Sequence, residues 1–140
     1  MDGRTWKYGE ITRKVLGSAI VVGRELGSGF LESVYEAALG IALTEAGLSF
    51  EKQKSLAVRF HEHEVGIFYS DFLVEGRIIV ELKAARALVP EHQAQVIHYL
   101  KATGLEVGLL INFGVTPIEF KRLSRYIDVS KKETSTGIDG

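Results

Sequence analysis

The chain has 140 residues, with 17 Lys+Arg against 18 Asp+Glu and no cysteine. That length suits one domain able to bury a core without staples, and the missing cysteine excludes a disulfide framework, a Cys-liganded zinc site and a thiol nucleophile. A formal net charge of -1 argues against bulk attraction to nucleic acid or anionic membrane, so a polyanion partner needs a local basic patch.

Ile11, Val15, Ala19 and Val22 form one apolar stripe, which predicts a helix over residues 5–26. Gly27-Ser28-Gly29 breaks it. No Lys-Ser/Thr follows, so this is not a phosphate loop. A second helix is predicted over residues 30–46, with an apolar face of Leu31, Val34, Ala38 and Ile41 and with Gly47 as its stop. Strands are predicted over 55–60, 65–74 and 77–84. His61-Glu62-His63-Glu64 and Glu75-Gly76 are short enough to make both connections antiparallel hairpins. Two histidines at a hairpin turn, without a third ligand, read as surface residues. Pro90 opens a helix over 90–103 that Gly104 ends, and residues 106–113 form a nearly continuous apolar strand, as expected at the centre of a covered sheet. Thr116-Pro117-Ile118-Glu119 combines a capping box with a first-turn proline and predicts a last helix.

The expected fold is a mixed α/β domain over residues 1–129, its central sheet flanked by helices, with residues 130–140 as a polar tail. The longest apolar run, 107–115, falls far short of the roughly 18 residues that span a bilayer. The first residues are too polar for a secretory signal. A cytoplasmic protein with no membrane partner is expected.

The chemistry concentrates in Ile78-Ile79-Val80-Glu81-Leu82-Lys83-Ala84. The apolar density implies a central strand, yet Glu81 and Lys83 share one face of it, and charges in a covered sheet are costly unless paired, metal-bound or open to a cleft. On the preceding strand Asp71 is a lone acid. Asp71 and Glu81 stand opposite each other if the hairpin loop is Glu75-Gly76-Arg77 or an equivalent bulge; a two-residue loop would turn them to different faces. Opposed, their Cβ atoms lie roughly 5 Å apart. Carboxylates that close repel unless one is protonated or a cation lies between them, and oxygen ligands of this kind suit Mg²⁺ or Mn²⁺. Lys83 adds positive charge for a phosphate, and the set fits metal-assisted phosphodiester hydrolysis.

Asp71 followed by Glu81-Leu82-Lys83 resembles the D…ExK core of the PD-(D/E)XK nuclease superfamily. Gly29-Phe30-Leu31-Glu32-Ser33-Val34-Tyr35 is similar to the G-x-x-E-x-x-Y signature of one branch of small proteins, although Ser28 stands where Pro is usual. Gln95-Val96-Ile97-His98-Tyr99 resembles the Q-x-x-x-Y element of the following helix. The resemblance spans about residues 26–125 and implies a restriction-endonuclease-like α-β-β-β-α-β core with an extra N-terminal helix. It implies that Asp71 and Glu81 bind a divalent metal, with Glu32 adding a carboxylate, and that Lys83 stabilises the transition state or activates water. Gln95 and Tyr99 would contact substrate or support the site. Arg86, leaving the same strand as Lys83, is the best basic candidate for holding a phosphate.

The leading expectation is a Mg²⁺- or Mn²⁺-dependent nuclease acting on DNA or RNA, with specificity supplied by a homodimer or a partner protein. The alternative is a non-catalytic nucleic-acid- or protein-binding module that keeps the nuclease fold.

Overall fold

The computed structural model of the chain describes residues 8–125. The expected helix start at residues 5–7 and the expected tail at 130–140 lie outside that range. Helix α1 (Gly9–Leu26) buries Val15, Ala19 and Val22, as their spacing requires. Helix α2 (Glu32–Glu45) departs from expectation. It buries Tyr35, Leu39 and Leu43, and of the predicted face only Ala38 packs against the core, while Val34, Leu31 (76% exposed) and Ile41 (63%) stay outside. Apolar residues occupy most of the circumference of α2, so periodicity selects no face. Packing selects it instead. Tyr35 stacks on Phe113 with ring centroids 4.9 Å apart, donates its hydroxyl proton to the Gly27 carbonyl and accepts from the Phe30 N–H.

The strands are β1 (Phe50–Phe60), β2 (His63–Val74), β3 (Ile78–Lys83), β4 (Val107–Asn112) and β5 (Glu119–Ser124), with helix α3 (Pro90–Thr103) between β3 and β4. They form one sheet in the order β1-β2-β3-β4-β5, antiparallel except for the parallel β3–β4 pair that α3 connects. Alternation divides β3 cleanly. Ile78, Val80 and Leu82 face the core under α1 and α2, while Ile79 packs with Val96 and Leu100 of α3. The result is three layers, with α1 and α2 on one face and α3 on the other.

The predicted last helix is absent: residues 119–124 are strand β5, paired from Val107↔Ser124 to Asn112↔Glu119. The capping signal is local, whereas the decisive requirement is distant. Strand β4 is buried along its whole length, and its outer backbone groups need partners that only another strand supplies. Strand β1 also begins earlier than expected. The polar run Glu51-Lys52-Gln53-Lys54 lies outside the expected strand, yet it pairs with residues 70–73 at the sheet edge.

The β1–β2 ribbon is longer than β3 and changes face along its length. Phe50 and Phe72 belong to the core under α1 and α2, whereas Leu56, also at an even position, packs on the α3 side, and Phe68 stacks on Tyr99 of α3. Between these positions lies Gln53, with φ +49°. Asp71 stands across from it by register, so the ribbon turns over at the level of the proposed site. Among the described residues no helix is long and apolar enough to cross a membrane.

Candidate active site

The β2–β3 hairpin takes the register that opposes the two acids. Phe72↔Val80, Leu73↔Ile79 and Val74↔Ile78 are paired, and the loop is Glu75-Gly76-Arg77, closed by the Arg77 N–H donating to the Val74 carbonyl at 3.0 Å. One step further, at Asp71, the regular ladder ends and side chains take over from backbone. The Leu82 N–H donates to Asp71 Oδ2 at 2.8 Å, and the Asp71 N–H donates to Glu81 Oε2 at 3.2 Å. Each acid thus holds its neighbour's strand in place of a carbonyl. The regular β2–β3 pairing stops here, and the two carboxylates take over the hold between the strands.

Glu81 is 6% exposed. Burial, followed by the negative charge of Asp71, pushes its carboxyl from 4.5 up to about 8; the Asp71 amide, the Ser70 hydroxyl and the Lys83 ammonium offset only part of this. A carboxyl in this position is protonated at neutral pH or shares a cation with Asp71. Two neighbouring carboxylates are hard oxygen donors suited to Mg²⁺ or Mn²⁺. Among the described residues no group of three or more His, Cys, Asp or Glu is arranged to hold a metal. Among the described residues the site therefore offers Asp71 and Glu81, and the remaining positions would fall to water and substrate oxygens, the usual situation for Mg²⁺.

Helix α3 packs on the face of the sheet that carries Ile79 and, by alternation, Glu81. Gln95 Nε2 donates to Tyr99 Oη at 2.8 Å, and the Tyr99 ring stacks on Phe68 with centroids 3.6 Å apart. The Tyr99 hydroxyl is pushed above its ordinary value by burial and then by the charge of Glu81, with a smaller rise from Asp71. This phenol is neutral at physiological pH. Its oxygen accepts from Gln95, which leaves its proton to be donated elsewhere.

Lys83 lies half-buried at the end of β3, where the segment that follows is pinned by Asn112 of β4. Asn112 is fully buried. Its Oδ1 accepts from the Ala85 and Gly114 N–H groups at 2.9 Å each, and its Nδ2 donates to the Ala85 carbonyl and to Glu119 Oε1 at 3.0 Å each. Gly114 lies so close that a Cβ there would fall on the Ala85 backbone. Asn112→Ala strips partners from several buried groups and is expected to cost about 3 kcal/mol in urea unfolding. An unchanged midpoint would mean that Asn112 does not hold this segment.

Asp71 and Glu81 thus hold each other's strands, Lys83 acts on the charge of Glu81, Tyr99 feels the charges of both acids, and Gln95 is bonded to Tyr99. Glu32 stands exposed as the first residue of α2, and Arg86 is exposed in the segment after β3; no described hydrogen bond or ion pair joins either to the two acids. Two residues at the site were not foreseen. Gln53 Nε2 donates to Asp71 Oδ1 at 3.2 Å and to Glu36 Oε2 at 3.3 Å. Glu36, one helical turn after Glu32, was legible as a second acid on the same helix face. Gln53 was hidden because it lies before the expected start of its strand. The outer turn of the G-x-x-E-x-x-Y segment has a structural explanation: Gly29 has φ +119°, which a side chain would strain, and Tyr35 fastens the loop.

A family model described as the PD-(D/E)XK nuclease superfamily matches residues 9–123. The chain belongs to that superfamily, and its layered mixed sheet is restriction-endonuclease-like. Among solved structures, one titled "Crystal structure of SSO0001" is similar at 16% identity with a TM-score of 0.50, over 75% of this chain and 56% of that one. This chain therefore spans little more than half of that structure, and the likeness is one of fold. No curated protein sequence matches the chain.

Proposed function

We propose that the chain is a nuclease of the G-x-x-E-x-x-Y branch that hydrolyses phosphodiester bonds in DNA or RNA with Mg²⁺ or Mn²⁺. The observation that carries this reading is the meeting of Asp71 and Glu81 at the point where the regular β2–β3 pairing stops, with Lys83 on the same strand face as Glu81. In this reading Asp71 and Glu81 hold the metal. When bound, the metal supplies Lewis acidity toward the phosphate and a more acidic water. The Lys83 ammonium offsets charge building on the phosphate oxygens in the transition state. Tyr99, its oxygen engaged by Gln95, offers its proton as a hydrogen bond to a phosphate oxygen. Arg86 would grip the flanking backbone, and Glu32 would act through water.

The test is calorimetry with Mn²⁺ followed by cleavage of single- and double-stranded DNA and RNA. Binding, and cleavage that EDTA stops, are expected from wild type. No heat and no cleavage on any of these substrates would overturn the reading in favour of a non-catalytic binding module.

A further inference from the structure

Asp71 can serve a metal only if its carboxylate is held in one orientation, and two donors hold it. The Leu82 N–H fixes Oδ2 at 2.8 Å. Oδ1 is held by a side chain, Gln53, whose Nε2 lies 3.2 Å away. The same nitrogen reaches Glu36 Oε1 and Oε2 at 3.4 and 3.3 Å. A side-chain amide has two N–H groups, so Gln53 can satisfy one carboxylate with each. Its placement is built into the backbone. Gln53 is a non-glycine residue at φ +49°, a conformation uncommon for such residues and found where surrounding structure imposes it. It lies on the ribbon where β1 and β2 turn over, directly across from Asp71 by register.

Resting on the metal-binding reading above, we infer that Gln53 is a positioning residue that orients Asp71 for the divalent cation and is itself anchored by Glu36 of α2. The chain Glu36–Gln53–Asp71 links the helix carrying Glu32 to the metal carboxylates. It gives α2 a physical connection to the site through Glu36, a residue outside the three motifs. Glu36 acts through Gln53 and Gln53 through Asp71, so the effects of removing them must overlap.

The experiment measures Mn²⁺ affinity by calorimetry for wild type, Gln53→Ala, Glu36→Ala and the double variant, with the unfolding midpoint of each metal-free chain. Gln53→Ala is expected to weaken Mn²⁺ about tenfold while the metal-free midpoint moves little, because Gln53 is exposed. Glu36→Ala is expected to weaken Mn²⁺ less, and the double variant to be no worse than Gln53→Ala alone. Gln53→Glu puts a third negative charge beside Asp71 and should not restore an oriented Asp71, whereas Gln53→Asn, with the amide kept, should recover part of the affinity. Wild-type affinity in Gln53→Ala, or fully additive losses in the double variant, would overturn the positioning role alone. A wild type that binds no Mn²⁺ would overturn the metal reading and this inference with it.

Discussion

Glu81→Gln is expected to stabilise the metal-free chain above about pH 8, although it removes a residue that the proposed chemistry requires. The folded chain holds a proton on Glu81 up to about pH 8, against 4.5 for an ordinary glutamate. Between those values the native state binds more protons than the unfolded state, so stability falls as pH rises through the window. The contribution of protonated Glu81 is complete below about 4.5 and is lost once pH passes about 8. Gln keeps the shape and hydrogen-bonding capacity but cannot ionise, so its curve stays flat over that range. With relaxation around the charged form allowed for, the difference at pH 8.5 should be on the order of 3 kcal/mol. Urea unfolding from pH 5 to 9 checks it; parallel curves for the two proteins would show that Glu81 carries no such strain. Mn²⁺ should reverse the ranking at high pH, since a ligand bound only by the native wild type stabilises it by mass action.

The behaviour of Glu81 explains why so much of the site was legible in the sequence. A charged pair, Glu81 and Lys83, inside an otherwise apolar strand is an expense that ordinary folding does not incur, and the hairpin arithmetic that opposes Asp71 and Glu81 depends only on strand period and loop length. Both are local properties. The misreadings share the opposite character. Residues 116–124 carry good helix-start chemistry, and only the bare edge of β4 makes them a strand. The apolar residues of α2 encircle it, and only the fit of Tyr35 under the Gly27–Phe30 loop decides which face goes inward. Gln53 combines both difficulties. It lies in a polar edge strand, and its importance arises from a partner 18 residues away. A single Asn in the apolar run of β4 was visible, but the use of Asn112 as a four-way pin depends on the loops that converge on it.

Lys83 and Asp71 both act on Glu81 but are expected to fail differently, and the contrast is the sharpest test of how labour is divided between them. Asp71→Asn removes a metal carboxylate and weakens the hold on the Leu82 N–H, so it should abolish both the Mn²⁺ heat and cleavage. It also relieves the repulsion on Glu81, the second cause of that residue's raised value, so the metal-free chain should not lose stability at high pH. Lys83→Met keeps most of the apolar stem of a half-buried side chain while removing the charge. The ammonium is no metal ligand, and its loss takes a cation away from Glu81, so Mn²⁺ affinity should stay within a few-fold of wild type or rise. Cleavage should nevertheless drop about 10²–10³-fold, the scale of losing one preorganised group that meets developing charge. The fall should appear in kcat with little change in KM, because the interaction strengthens only as the phosphate approaches the transition state. If Lys83→Met cut at the wild-type rate, Lys83 would be a solvated neighbour of Glu81 and the proposed transition-state role would go. If instead it lost Mn²⁺ binding together with cleavage, its part would lie in assembling the metal site, and the separation of roles between strand positions 81 and 83 would be wrong.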